Sequence, residues 1–253
     1  MVVFITAATI NTGLAIAEKF ASEGYDVAVS SQRIEDAERT ATYLKEKYSI
    51  KSVGYGLQLA NVENIKDVFS KIKNDFGQLD VFVANAANLG IDMDFFFVDE
   101  DEYSQVVDCN LKGNFFCAQQ AALLMKENKK GSIVFISSVH SHQCIFGRSL
   151  YTATKGGINA LMRALAIELA QYNIRSNCII AGAIKTNRWD NLSEEQVLAK
   201  RANWPLGLES TGDDIANGVF YLGTDLSKTV TGTELTIDSG LLVSLLPYKE
   251  SKR

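Results

Sequence analysis

Short apolar runs alternate with amphipathic stretches along the whole chain, and this alternation constrains the fold more than any other feature of the 253 residues. "VVFITAA" (2–8), "YDVAVSS" (25–31), "KSVGYGLQL" (51–59), "LDVFVANAA" (79–87), "SIVFISS" (132–138), "IRSNCIIAG" (174–182) and "TELTID" (233–238) read as strands. Several are unbroken and β-branched, the pattern of strands buried on both faces. Between them, 14–23, 34–47, 62–76, 100–128, 151–172 and 211–224 carry helical spacing. In the first of these, Leu14, Ile16, Ala17 and Phe20 form the apolar stripe. Strand and helix in turn predict an α/β chain: a doubly wound parallel sheet of about seven strands with helices on both faces. No repeat or low-complexity linker interrupts the pattern, so 1–253 reads as one domain.

Composition narrows the partners. A net charge of −5 argues against nucleic acid, which wants a basic face. No run approaches a membrane span, and residues 1–8 enter a strand with no charged leader, so a cytoplasmic protein is expected. Cys109, Cys117, Cys144 and Cys178 lack paired metal-ligand spacing and read as reduced, mostly buried thiols. His140 and His142 are too few for a metal site, and none is expected.

Two segments break the rhythm. Residues 183–210 follow a strand's carboxyl end and are expected to fold over a ligand site as a lid. The C-terminal "LLVSLLPYKESKR" is apolar, then basic, and is expected to pack against another subunit.

Candidate chemistry lies at Ser138, Tyr151 and Lys155, thirteen and then four residues apart. Four residues is about one helical turn, so Tyr151 and Lys155 share a helix face. Ser138 closes a strand at the sheet's carboxyl edge, where open α/β folds bind ligands. An ammonium beside a phenol favours its ionisation below the usual value of about 10. Tyr151 is thus a candidate acid/base, Lys155 its electrostatic support and Ser138 a hydrogen-bond donor to a substrate oxygen. A second Y-x-x-x-K, Tyr43 and Lys47, reads as a solvated helix face, so the spacing alone decides nothing.

With that order in place, the chain resembles the short-chain dehydrogenase/reductase family over nearly its full length. "TAATINTG" (6–13) occupies the place of the family's T-G-x-x-x-G-x-G turn, and "ANAA" (84–87) that of N-N-A-G. Asn110 in "DCNLKGN" matches the asparagine of the family's catalytic tetrad, with Ser138, Tyr151 and Lys155 after it. "IRSNCIIAGAIKT" (174–186) resembles the nicotinamide-contacting segment, and "TGTELTIDSG" (231–240) the closing strand and its D-G-G. The resemblance implies a Rossmann-type NAD(P)-binding domain. By position its cofactor contacts are Thr6, Ala7, Asn11, Thr12, Gly13, Ser31, Arg33, Gln58, Leu59, Asn85, Ala86, Tyr151, Lys155, Gly182, Ile184 and Thr186.

The departures concentrate in the glycines. Ala7 and Asn11 replace the first two glycines of the phosphate turn, Gly13 remains, and Ala84, Ala87, Ala181 and Ser239 replace other usual residues. Asn11 tolerates left-handed backbone, so the turn is expected to survive, its amide free to donate to a phosphate. Gln58 stands where the family has an adenine-binding aspartate. The second strand ends Ser30-Ser31-Gln32-Arg33 with no acid before Glu35. An acid there would hold NAD's ribose hydroxyls, whereas Ser31 and Arg33 suit a 2′-phosphate. NADP(H) is the expected cofactor and NAD(H) the alternative.

By family mechanism, Tyr151 gives a proton to a carbonyl oxygen as hydride arrives, Ser138 orients that oxygen, Lys155 binds the nicotinamide ribose and lowers the tyrosine's pKa, and Asn110 holds a water leading to solvent. His140, His142, Asn88, Arg188, Trp189 and Trp204 are candidate substrate contacts; their polarity suits a sugar or polyol, and the aromatic pair equally a steroid-like ketone. Three other readings stay in view. A halohydrin dehalogenase would carry arginine for Lys155 and an aromatic in the phosphate turn. A non-catalytic nucleotide-sensing protein would explain the missing glycines but not the intact tetrad. A 3-oxoacyl-thioester reductase would want a basic docking surface, for which Lys200 and Arg201 are a thin basis. A homotetramer, or a homodimer, is expected through 100–128 and 151–172, where "FFCAQQAALLM" (115–125) carries excess apolar surface.

Overall fold

Each apolar run becomes a strand of one sheet in the computed structural model, which describes residues 1–91 and 93–245. The strands are β1 (Val2–Ile5), β2 (Asp26–Ser31), β3 (Ser52–Gly56), β4 (Val81–Ala84), β5 (Gly131–Ser138), β6 (Ile174–Ala181) and β7 (Glu234–Ile237). All pair in parallel, in the order β3-β2-β1-β4-β5-β6-β7. The winding direction reverses between β1 and β4, so the loops leaving their carboxyl ends diverge and open a crevice.

The helices among the described residues are α1 (Asn11–Ser22), α2 (Ile34–Tyr48), α3 (Val62–Phe76), α4 (Glu100–Val107), α5 (Asn114–Asn128), α6 (Ser149–Glu168), α7 (Glu194–Arg201) and α8 (Gly212–Gly223). Side chains alternate across the strands and build two cores. On one face Val3, Ile5 and Val29 pack against Ile16 and Phe20 of α1, Leu44 of α2 and Val219 of α8. On the other, Phe4, Phe82 and Phe135 pack against Phe69 of α3, Cys117 of α5 and Met162 of α6. The doubly wound sheet is therefore as the alternation predicts.

Three local differences matter for the site. The strands expected at 2–8, 51–59 and 79–87 stop at Ile5, Gly56 and Ala84, because the residues beyond leave the sheet to line the crevice. The stretch 100–128 is two helices joined by a π-helical turn, Asp108–Gly113. The buried positions run from Val106 to Met125, one residue longer than the roughly 18 that five α-helical turns span, and the wide turn absorbs the excess. The lid is partly helical: a tight turn at Asn187–Trp189 is followed by α7, whose start is fixed by a capping box between Ser193 and Gln196. The expected subunit-packing segment begins at Leu241, but its residues 246–253 lie outside the described ones. Of the cysteines, Cys117 and Cys178 are buried, Cys109 is partly buried, and Cys144 is exposed, contrary to the expectation for it.

Candidate active site

The phosphate turn keeps its shape without its glycines. Ala7 and Asn11 both hold left-handed backbone, at φ 51° and 48°. For non-glycine residues this costs of order 1–2 kcal/mol each, and persists only where the surroundings enforce it. The enforcement is visible. The Thr6 hydroxyl accepts hydrogen bonds from the backbone N–H of Asn85 and of Ala86, each at 3.0 Å. The Asn85 amide donates to the carbonyls of Thr6 and Ala7 at 3.0 and 3.1 Å. Gly13 alone has no substitute, since a Cβ there would lie 2.2 Å from the Ala7 carbonyl oxygen.

A cleft of about 570 Å³ runs from this turn across the ends of β1 to β4, past Ser30, Ser31, Gln32, Gln58, Leu59, Ala86 and Asn88. The Ser30 hydroxyl is buried there without a hydrogen-bond partner among the described residues. Among the described residues, no aspartate or glutamate lines the cleft. A preserved phosphate turn, a helix N-terminus behind it and an orphaned hydroxyl on the wall fit a dinucleotide. Arg33, expected beside Ser31, is largely exposed and lies 3.6 Å from the Asp36 carboxylate.

Ser138, Tyr151 and Lys155 meet where β5 ends against α6, although their elements are separated by a loop. Lys155 is buried and donates to the Ile136 carbonyl at 2.6 Å, its Nζ lying 5.5 Å from the centre of the Tyr151 ring. Burial pulls its pKa down from 10.5 to about 8. The other Y-x-x-x-K shows what the same spacing does in solvent. Lys47 is exposed and donates directly to the Tyr43 hydroxyl, 2.6 Å away, and to Glu18 at 2.8 Å, and these partners raise its pKa. Position in the fold, not spacing, distinguishes the pairs.

The tyrosine departs from expectation. Burial raises the Tyr151 pKa above 10, and the opposing influences are a hydrogen bond with Ser138 and the charges of Arg148 and Arg188. The Lys155 ammonium is turned toward the Ile136 carbonyl, to which it donates. Tyr151 is therefore protonated at neutral pH, the state of a proton donor.

Asn110 sits in the π-turn and is buried. Its Oδ1 accepts from the Asn88 N–H at 2.6 Å, and its Nδ2 donates to the Asn88 carbonyl at 2.8 Å and to Thr154 Oγ1 at 3.1 Å. The side chain is thus committed to holding the β4–α4 loop against α6. Thr154, which sequence reasoning passed over, completes that link from the position just before Lys155.

The pocket beyond Tyr151, about 390 Å³, is lined by Ser138, His140, Arg148, Gly182, Ile184, Arg188, Trp189, Leu192, Lys200 and Trp204, among others. The His140 ring stands edge-on to Tyr151 at 6.0 Å, and Trp189 and Trp204 lie 6.0 Å apart within the lid. His142 is a correction: it turns away, its Nε2 2.7 Å from Glu234, because Glu234 on the edge strand β7 offers it a carboxylate. Arg148 was missed; it lies three residues before Tyr151, on the same first helical turn. The lid is anchored at its base, where the Arg201 guanidinium meets both Glu209 carboxylate oxygens at 2.7 and 2.8 Å. Arg201 is thereby committed to Glu209, which weakens the expectation that it offers a docking surface.

A doubly wound sheet whose phosphate-turn cleft lies beside a pocket reached by a tyrosine and a serine, with a buried lysine behind them, defines an oxidoreductase acting on a CH–OH or C=O group. The family model described as Enoyl-(Acyl carrier protein) reductase matches residues 7–242. Sorbose reductase of Candida albicans is 31% identical over 242 residues, covering 93% of this chain and 85% of that protein. A 3-oxoacyl-acyl-carrier-protein reductase of Staphylococcus aureus is 34% identical over 240 residues, covering 94% and 96%. A solved structure from Sinorhizobium meliloti 1021, described as a short-chain alcohol dehydrogenase, superposes with a TM-score of 0.88 at 29% identity over 96% of this chain and 97% of that one. The chain belongs to the short-chain dehydrogenase/reductase family.

Proposed function

We propose that the protein interconverts a small, hydroxylated carbonyl compound and the corresponding secondary alcohol with NADP(H), using Tyr151 as acid/base. The observation that carries this is the buried, protonated Tyr151 facing an open pocket, with Ser138 beside it and Lys155 behind. When bound, the nicotinamide supplies or accepts the hydride. Tyr151 donates its proton to the substrate oxygen in reduction and recovers it in oxidation, and Ser138 Oγ orients that oxygen. Lys155 is placed to turn from the Ile136 carbonyl to a ribose hydroxyl. Asn110 positions the loop and the helix that hold these groups together.

Thr6, Ala7, Asn11, Thr12, Gly13, Leu59, Asn85, Ala86, Gly182, Ile184 and Thr186 are the cofactor contacts in this reading, with Ser31, Arg33 and Gln58 at its adenosine end. The preference for NADP(H) rests on a cleft with no acidic lining among the described residues, and on Ser31. The exposure of Arg33 leaves it free to swing toward a 2′-phosphate. Fluorescence titration with NADPH and NADH tests it: selective NADPH binding is expected, and selective NADH binding would overturn the preference. A pocket of about 390 Å³ lies at the small end for ligand sites and suits a sugar-sized ketone better than a steroid. The second reading, a 3-oxoacyl-thioester reductase, is favoured by the similarity to the staphylococcal enzyme. Turnover of an acetoacetyl thioester in preference to ketoses would establish it.

Assembly as a homotetramer belongs to the same reading. Tyr103 on α4, Phe115 and Leu123 on α5 and Ile167 on α6 are exposed apolar residues on the two helical stretches that would meet. A sedimentation mass near four times 27.8 kDa is expected, and a stable monomer at micromolar concentration would sink the idea.

A further inference from the structure

The pocket beyond Tyr151 has a charge that the chain as a whole does not. The protein carries a net charge of −5, yet this pocket is lined by Arg148, Arg188 and Lys200 and, among the described residues, by no aspartate or glutamate. None of the three cations forms an ion pair among the described residues. This contrasts with the neighbouring Arg201, which is neutralised by Glu209 on both oxygens. Local compensation was therefore available to the lid and is withheld where the lid faces the pocket.

Each cation is also held in place without using up its charge. Arg148 gives one guanidinium N–H to the Leu89 carbonyl at 2.6 Å, which fixes the plane and leaves other N–H groups to donate. Arg188 is tethered through Nε to Thr186 Oγ1 at 3.4 Å. The Lys200 ammonium lies 5.8 Å from the centre of the Trp189 ring, a contact with an aromatic face that attracts a cation but does not neutralise it. Arginines so arranged suit a carboxylate or phosphate, whose oxygens can accept two parallel hydrogen bonds. Arg148 and Arg188 both act on the Tyr151 hydroxyl, so the charge lies close to the reacting end of the pocket.

We infer that the substrate is an anion: a small carbonyl or hydroxy compound carrying a carboxylate or phosphate group, held by Arg148 and Arg188 and drawn in by Lys200. This rests on the oxidoreductase reading of the same pocket and adds the substrate's charge to it. A neutral polyol would leave three cations facing one another across the pocket with nothing between them. An aldonate or sugar phosphate of the same length would supply the missing charge while presenting the same hydroxyls to Ser138 and Tyr151.

The chain has two tryptophans, Trp189 and Trp204, and both line this pocket, so intrinsic fluorescence reports its occupancy without any need for turnover. D-gluconate, sorbitol 6-phosphate and neutral D-sorbitol would be titrated into the wild type and into R148Q, R188Q and K200Q, with NADPH affinity measured on each. Either anion should bind at least about tenfold more tightly than sorbitol, and R148Q or R188Q should remove that margin while leaving NADPH affinity unchanged. Gluconate and sorbitol 6-phosphate together distinguish a carboxylate from a phosphate subsite. Because Arg148 also holds Leu89, R188Q and K200Q, at exposed positions, serve as variants that should fold normally. Equal binding of sorbitol and both anions would overturn the inference and leave the oxidoreductase reading standing. So would an R188Q that weakens NADPH alone, since the charges would then serve the cofactor. Tight anion binding with no turnover of any probe or its ketone by either cofactor would support the anion subsite and overturn the oxidoreductase reading.

Discussion

Asn11 and Asn187 tie the start of α1 to the lid: the Asn187 N–H donates to Asn11 Oδ1 at 3.1 Å, and Asn11 Nδ2 donates to Asn187 Oδ1 at 3.3 Å. Asn11 holds the left-handed backbone that glycine adopts freely, φ 48°. Ser239 does the same at the far side of the lid, with φ 57° and its hydroxyl on the Leu208 carbonyl at 2.6 Å. Two missing glycines have become two lid fastenings.

Asn11→Gly should therefore have little effect on global stability, because relief of backbone strain of about 1 kcal/mol offsets two exposed hydrogen bonds worth about 0.5–1.5 kcal/mol each. The lid should nonetheless loosen, seen as faster proteolytic cleavage within 187–204. Asn11→Ala keeps the strain, loses both bonds and should lower stability by about 1–3 kcal/mol in urea titration. Equal proteolysis of wild type and both variants would show that the pair fastens nothing.

Tyr151→Phe removes the proton donor and leaves the ring in place. Turnover should fall by about 10²–10⁴-fold with nucleotide affinity nearly unchanged. Since burial holds the wild-type phenol above 10, carbonyl reduction should persist through neutral pH and decline only in strong alkali, while alcohol oxidation should rise toward alkaline pH. Steady-state rates in both directions from pH 6 to 10.5 check the sign.

Lys155→Met tests the cost of the buried ammonium. The folded chain releases this proton near pH 8 and the unfolded chain near 10.5, so between those values the unfolded state binds more protons and stability rises with pH. Below pH 8 the charged form costs the fold about 3 kcal/mol. The variant should melt higher than wild type at pH 7, the gap narrowing by pH 10, and it should be inactive. A lower melting temperature at pH 7 would mean that the bond to the Ile136 carbonyl outweighs the desolvation.

Glu209→Gln should free the base of the lid. Arg201 holds the Glu209 carboxyl down from 4.5 to about 2, so the ion pair is complete above pH 4.5 and is lost as pH falls through 2. The variant should differ from wild type across the neutral range, with KM raised about threefold to tenfold and kcat less affected. An unchanged KM would detach this ion pair from substrate binding.

The sheet was legible because buried parallel strands must be apolar on both faces, a demand that Val27, Val29, Ile133 and Val134 announce directly. Ser138, Tyr151 and Lys155 were legible for another reason: a strand end and a helix face are predictable places. What remained hidden depends on contacts between distant segments. Nothing near Arg148 announces the Leu89 carbonyl, nothing near Asn11 announces Asn187, and His142 reads like a pocket residue until Glu234 on β7 claims it. Ala7 and Ser239 look like damage to a glycine pattern until their backbone angles show the pattern kept.

The π-turn at Asp108–Gly113 bears on more than the placement of Asn110. One extra residue in a helix rotates everything after it by about 100°. Upstream of the turn, Val106 faces the interior; downstream, Phe115 and Leu123 look outward from α5. Deleting a single residue from the turn would leave a continuous helix with its outer surface swung sideways and its asparagine aimed elsewhere. The inner chemistry and the outer surface of this enzyme are thus geared together, and insertions or deletions in that stretch are closed to it even where side-chain changes are tolerated.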